Sequence, residues 1–208
     1  MSPNVGRKLV AASLLAAAVL SGCGAGDAPA AAVSSGGLPA ASVSANQSAA
    51  GSGAPVALAS GFRDFDLVAY QGDDVLGGHE VKFSSVFRNG KPIVLNYWAG
   101  LCPPCRAEMP GFQRAADAHA GQVVFVGVDV GPFVQLGTRE DAVQLYNALR
   151  IRYPLAYATS VQPLRLYSVQ GMPTTVFFSA GGRVVDKVSG MLSESQVNAE
   201  IQKLLSAT

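Results

Sequence analysis

The chain has 208 residues, of which 15 are basic and 14 acidic; 14% are charged and 49% apolar, against about 25% charged in an ordinary soluble domain. A net charge of +1 offers no basic excess, which disfavours nucleic acid as a partner. Three cysteines, Cys23, Cys102 and Cys105, are too few for a small exported fold stapled by several bridges.

At the amino end, Arg7 and Lys8 precede an apolar run from Leu9 to Leu20. That run is too short to cross about 30 Å of hydrocarbon comfortably, and it reads as an export signal. It ends in Leu20-Ser21-Gly22-Cys23, which resembles the bacterial lipobox. On that reading residues 1–22 are a signal peptide and Cys23 is the lipid attachment site, which places the protein at the cell membrane on its extracytoplasmic face. An ordinary signal peptide with an incidental cysteine, or an uncleaved anchor, are the alternatives. Residues 23–57 are dominated by Ala, Gly, Ser and Pro with Asp27 as their one charge, so they bury too little to offset ordering entropy and are expected to be a disordered tether. Setting aside Arg7, Lys8 and Asp27 leaves 13 basic and 13 acidic residues for a neutral domain at 58–208.

Within that domain, Phe65–Tyr70 and Glu80–Phe83 are rich in β-formers around turn-forming glycines and predict a hairpin. Pro92–Ala99 is apolar except for Asn96, the pattern of a strand buried on both faces. It leads into the cysteines, and Pro103 suits the first turn of a helix running to Ala120, with Pro110 expected to bend it. Gln122–Val128 predicts another buried strand. Thr138 predicts a helix cap, followed by Ala142, Leu145, Tyr146 and Leu149 on one face. A strand at Tyr153–Tyr157 and a short helix at Gln162–Ser168 follow. Thr174–Ser179 and Arg183–Val188 predict a hairpin, and Ser193 with Gln196 predicts a capping box opening a last helix with Val197, Ile201, Leu204 and Leu205 inward. The succession describes an α/β sandwich around a mixed sheet.

The chemistry lies in Cys102-Pro103-Pro104-Cys105. Two cysteines three apart at a helix start can close a small disulfide. The first of them faces free N–H groups and the helix dipole, which favour a thiolate. Cys102 is therefore the expected nucleophile and Cys105, one turn in, the resolving thiol. The two prolines withhold N–H donors from the sulfur. Half of a zinc site shares this spacing, but zinc needs four ligands, and neither a second cysteine pair nor suitably spaced histidines accompany it, with His79 and His119 isolated. No metal is expected, and no cofactor other than the redox-active Cys102–Cys105 disulfide.

The strand Pro92–Trp98 running into the cysteine pair, then Arg106-Ala107-Glu108-Met109-Pro110, and later Gly171-Met172-Pro173-Thr174-Thr175, resembles the thioredoxin superfamily. Within it the likeness is to the membrane-anchored TlpA/ResA-like thiol-disulfide oxidoreductases and covers about Phe62 to Leu205. The resemblance implies a thioredoxin-like three-layer sandwich with a central mixed sheet, an N-terminal hairpin and a central insertion. It implies a cis Pro173 lying against the disulfide, with Met172 offering its backbone to substrate. It assigns Glu108 to tuning the thiols, which is physically reasonable for a carboxylate one turn beyond Cys105, the bland reading being a surface acid. Asn96 stands where cytoplasmic thioredoxins carry a buried Asp, and Trp98 is expected to be a core aromatic that also borders the substrate site. Leu101 departs from the Trp that many relatives place before the first cysteine.

The resemblance favours reduction of cysteine-bearing exported proteins, apocytochrome c for example, by a monomer recharged by an integral-membrane thiol reductant. A disulfide-forming oxidase would use the same residues. A lipid-anchored copper-binding module would be expected to show wider cysteine spacing and a helping His. A hydroperoxide-reducing peroxidase would need an upstream Thr that neither cysteine has.

Overall fold

A computed structural model describes residues 57–206; the segment expected to be a signal peptide, most of the expected tether and Cys23 lie outside the described residues. Seven strands form one mixed sheet. The N-terminal pair is β1 (Asp66–Gln71) and β2 (Glu80–Lys82), antiparallel as expected, with the short helix α1 (Asp73–Leu76) in the connection. Phe83 does not extend β2. It opens a 3-10 helix, Phe83–Asn89, that buries Phe83, Val86 and Phe87. Asp64 sets that start, its two carboxylate oxygens accepting from Ser84 N–H (2.9 Å) and Ser84 O–H (2.7 Å).

The centre of the sheet is β3 (Ile93–Trp98), flanked by β4 (Val124–Asp129) in parallel and by β6 (Thr174–Phe178) antiparallel. β3 and β4 are buried at every position, as their unbroken apolar runs require of strands covered on both faces. β5 (Leu155–Ala158) pairs parallel to β4 and antiparallel to β1, and β7 (Val184–Ser189) closes the far edge against β6.

Helices cover both faces. Between β3 and β4 runs α2 (Pro103–Ala118), with Pro110 inside the helix. The central insertion between β4 and β5 holds α3 (Gly131–Val134) and α4 (Arg139–Ala148). Thr138 caps α4 through a full capping box with Asp141. The short α5 (Gln162–Leu166) precedes β6. The closing α6 (Glu194–Ser206) starts at Ser193, whose O–H accepts from Gln196 N–H and whose own N–H donates to Gln196 Oε1. One core gathers Cys105, Met109 and Phe112 of α2, Leu145 of α4 and Val197, Ile201 and Leu204 of α6. The opposite core is aromatic: Phe62, Phe65, Phe83, Phe87, Tyr167 and Phe178 touch with centroids 4.9–6.5 Å apart. The three-layer α/β sandwich expected from the sequence is present. Among the described residues no helix is long and apolar enough to cross a membrane.

Candidate active site

The site is built where β3 ends and α2 begins. Cys102 is the N-cap of α2, held in extended backbone geometry, and its Sγ accepts from Cys105 N–H at 3.3 Å. A helix start normally presents several unpaired N–H groups. Here Pro103 and Pro104 fill the first two positions, so Cys105 supplies the first N–H that the sulfur can meet. Cys102 and Cys105 are joined in a disulfide, S–S 2.05 Å. Cys105 is fully buried and Cys102 only 2% exposed, whereas Leu101 beside them is 60% exposed.

One turn further along α2, Glu108 points inward and is 3% exposed, which removes the surface-acid reading. Its Oε1 accepts from Asn96 Nδ2 (2.8 Å) and its Oε2 from Leu192 N–H (3.0 Å). Burial raises its pKa from the ordinary 4.5 to about 7, and the two donated hydrogen bonds only partly counter that rise. Asn96 also donates to Thr175 Oγ1 at 3.1 Å, so β3, α2, β6 and the segment before α6 converge on one carboxyl group.

Pro173 follows a cis peptide bond and is buried, and its carbonyl accepts from Gly190 N–H at 2.9 Å. Thr174 is paired with Tyr97, so Met172 and Pro173 lie beside the end of β3 on the β6 side of the cysteine loop. Met172 is half-buried. Trp98 requires a correction as a substrate-facing residue. It is fully buried, because it lies within the continuously buried β3 and packs into the α2 core, and so supports the loop from behind. Exposed Leu101, Pro103 and Pro104 form the rim instead.

On the β4 side the insertion is tied to the same loop. Leu101 N–H donates to Leu136 O (2.8 Å), Leu136 N–H to Gly131 O (3.1 Å), and Gly131 N–H to the buried Asp129 Oδ1 (2.9 Å). Asp129 Oδ2 accepts from Tyr70 O–H at 2.9 Å, and burial pushes the Asp129 carboxyl above its usual range. Arg139 lies 3.5 Å over the Tyr157 ring alongside. Neither Asp129 nor Tyr70 stood out in the sequence, although an acid closing an otherwise apolar strand is a readable signal.

His79 forms an exposed contact with Asp73 at 3.4 Å, and His119 Nε2 lies 3.1 Å from Asn198 Oδ1. Among the described residues no group of three or more His, Cys, Asp and Glu side chains is placed to hold a metal.

Comparison with known proteins agrees with this geometry. Residues 61–187 match the AhpC/TSA family. The thiol-disulfide oxidoreductase ResA of Bacillus subtilis is 29% identical over 125 residues, covering 58% of this chain and 64% of that protein. The match thus spans less than two thirds of that relative's own length. Among solved structures, MTB DsbF in its mixed oxidized and reduced forms is similar with a TM-score of 0.58 and 25% identity, over 71% of this chain and 98% of that one. The exposed lipoprotein thioredoxin Etrx1 of Streptococcus pneumoniae gives a TM-score of 0.57 at 22% identity, over 68% and 100% of the two chains. The fold is that of thioredoxin.

Proposed function

Since this chain belongs to the AhpC/TSA family, we propose that it is a thiol-disulfide oxidoreductase acting outside the cytoplasm, lipid-anchored through Cys23, that reduces disulfides in exported proteins. The observation that carries the reading is the Cys102–Cys105 disulfide at the start of α2, one turn from a buried carboxyl group. In the reduced protein the Cys102 thiolate attacks one sulfur of a substrate disulfide. A mixed disulfide forms and the other substrate sulfur leaves as a thiolate that takes a proton. Cys105 then attacks Cys102, releasing the second substrate thiol and regenerating the intramolecular disulfide, so two electrons and two protons pass to the substrate. In this reading Glu108, one turn along α2 from Cys105 and with its pKa raised to about 7, takes and returns the proton of Cys105 near neutrality. The backbone at Met172, beside the pair, is the strand edge against which the substrate chain would lie, and Leu101 the apolar rim it would cross. The substrates are cysteine-bearing exports such as apocytochrome c, and an integral-membrane thiol reductant restores the dithiol.

Trapping tests this. Cys102→Ser should abolish insulin reduction, and Cys105→Ser should accumulate mixed disulfides whose partners mass spectrometry identifies. An inert wild type together with an empty Cys105→Ser trap would refute the proposal. A potential near thioredoxin's roughly -270 mV supports the reducing direction, whereas one near roughly -120 mV would reverse it.

A further inference from the structure

Asn96 Oδ1, Trp98 Nε1 and Tyr153 Oη are among the polar side-chain atoms of the described residues that are buried with no hydrogen-bond partner in the protein. Their residues are 1%, 0% and 5% exposed. Asn96 and Trp98 alternate on β3 so that both face α2, and Gly127 on β4 is the register partner of Asn96. Gly127 has no side chain there. A methyl carbon in its place would lie 3.0 Å from Trp98 Nε1, 3.2 Å from Tyr153 Cε2 and 2.5 Å from Leu155 Cδ2. The indole N–H and the tyrosine ring therefore close over the same point of β4, next to the Asn96 amide that holds Glu108.

Buried polar groups without a protein partner are normally satisfied by ordered water, which needs two to four such groups around it. We propose that Tyr153 Oη, Trp98 Nε1 and Asn96 Oδ1 form an internal water-binding site next to the Glu108 carboxyl group. Tyr153 is then a positioning residue for the proton that Glu108 holds. The site deepens the oxidoreductase reading and rests on it for its consequence in catalysis. Tyr153 lies within electrostatic reach of Glu108, whose charge adds to burial in raising the tyrosine pKa. The groups facing Glu108 are few. β3 presents the neutral Asn96, itself held by Thr175 of β6, the segment before α6 presents Leu192 N–H, and the segment before β5 presents Tyr153. Glu194 of α6 is engaged outside by Arg114 at 2.6 Å. A donor reaching the carboxylate through water favours its charged form, so removing the tyrosine hydroxyl should raise the pH at which Glu108 ionises.

Trp98 is the single tryptophan of the chain and reports on this site directly. In the oxidised full-length protein Cys102 and Cys105 do not titrate, so indole emission followed against pH should show one transition near 7, the Glu108 value. Glu108→Gln should abolish it, and Tyr153→Phe should move its midpoint up by about half to one pH unit. An unmoved midpoint in Tyr153→Phe, or a transition that survives Glu108→Gln, overturns the proposal. Should either variant not fold, the wild type decides: in 15N-labelled protein the indole N–H must show magnetisation transfer to a long-lived water, and its absence overturns the site. The pH profile of insulin reduction should shift in parallel with the emission. If the wild type reduces nothing while the emission results hold, the oxidoreductase reading fails and the water site stands.

Discussion

Between about pH 4.5 and 7 the folded protein keeps a proton on Glu108 that the unfolded chain has released. This group's contribution to stability is therefore complete below about 4.5 and is lost as pH rises through about 7. Glu108→Gln removes the dependence: melting temperature measured across this window should fall for the wild type relative to the variant. A wild-type slope matched by Glu108→Gln would refute the assignment. The amide keeps one acceptor for the two donors Asn96 Nδ2 and Leu192 N–H, so at low pH the variant should be less stable by about 1–3 kcal/mol. Asp129 makes the contrasting case. Asp129→Ala strips the acceptor from Gly131 N–H and Tyr70 O–H, and denaturant unfolding should report a loss of about 2–4 kcal/mol from two unmet donors. Asp129→Asn, which still offers one oxygen, should lose less than half of that.

At the scale of elements, the cysteine loop depends on how closely the insertion approaches it. A methyl group on Gly100 would stand 2.5 Å from Ala142 N and 2.6 Å from the Asp141 carbonyl carbon, both backbone atoms of α4. Gly100→Ala must therefore push α4 away from the loop. A loss of about 1–3 kcal/mol in urea unfolding is expected, with a slower reaction toward protein disulfides. The strands that carry the site were legible because burial on both faces leaves an unbroken apolar run, as in Pro92–Ala99. The caps at Thr138 and Ser193 were legible because capping is local. The 3-10 helix at Phe83–Asn89 was not: it is too short to show a period, and Asp64, nearly twenty residues earlier, sets its start. The depth of Glu108 was likewise hidden, since Asn96 and Leu192, which hold it, belong to distant parts of the chain. Tyr153 read as a strand residue for the same reason: its surroundings are made by Gly127 and Trp98.

For the whole molecule, sheet order decides where chemistry happens. With β3 between β4 and β6, the cysteine loop emerges between the insertion on one side and Met172–Pro173 on the other, so a chain docking there would be met from both flanks. The residues of that arrangement all lie within 57–206, whereas the proposed anchor rests on Cys23, so anchoring and exchange should separate experimentally. Cys23→Ser should move the protein from the membrane fraction to the soluble one while insulin reduction by the purified domain is unchanged; a variant that stays with the membrane would remove the lipid-anchor reading. The near-complete burial of Cys102 and Cys105 beside the exposed Leu101, Pro103 and Pro104 carries a consequence of its own. Exchange requires a thiolate to reach a sulfur, and access sets its rate. The disulfide should thus be insulated from stray small thiols and open only to a partner that presses against the rim at Leu101, which would keep the electron current private to the proteins that dock.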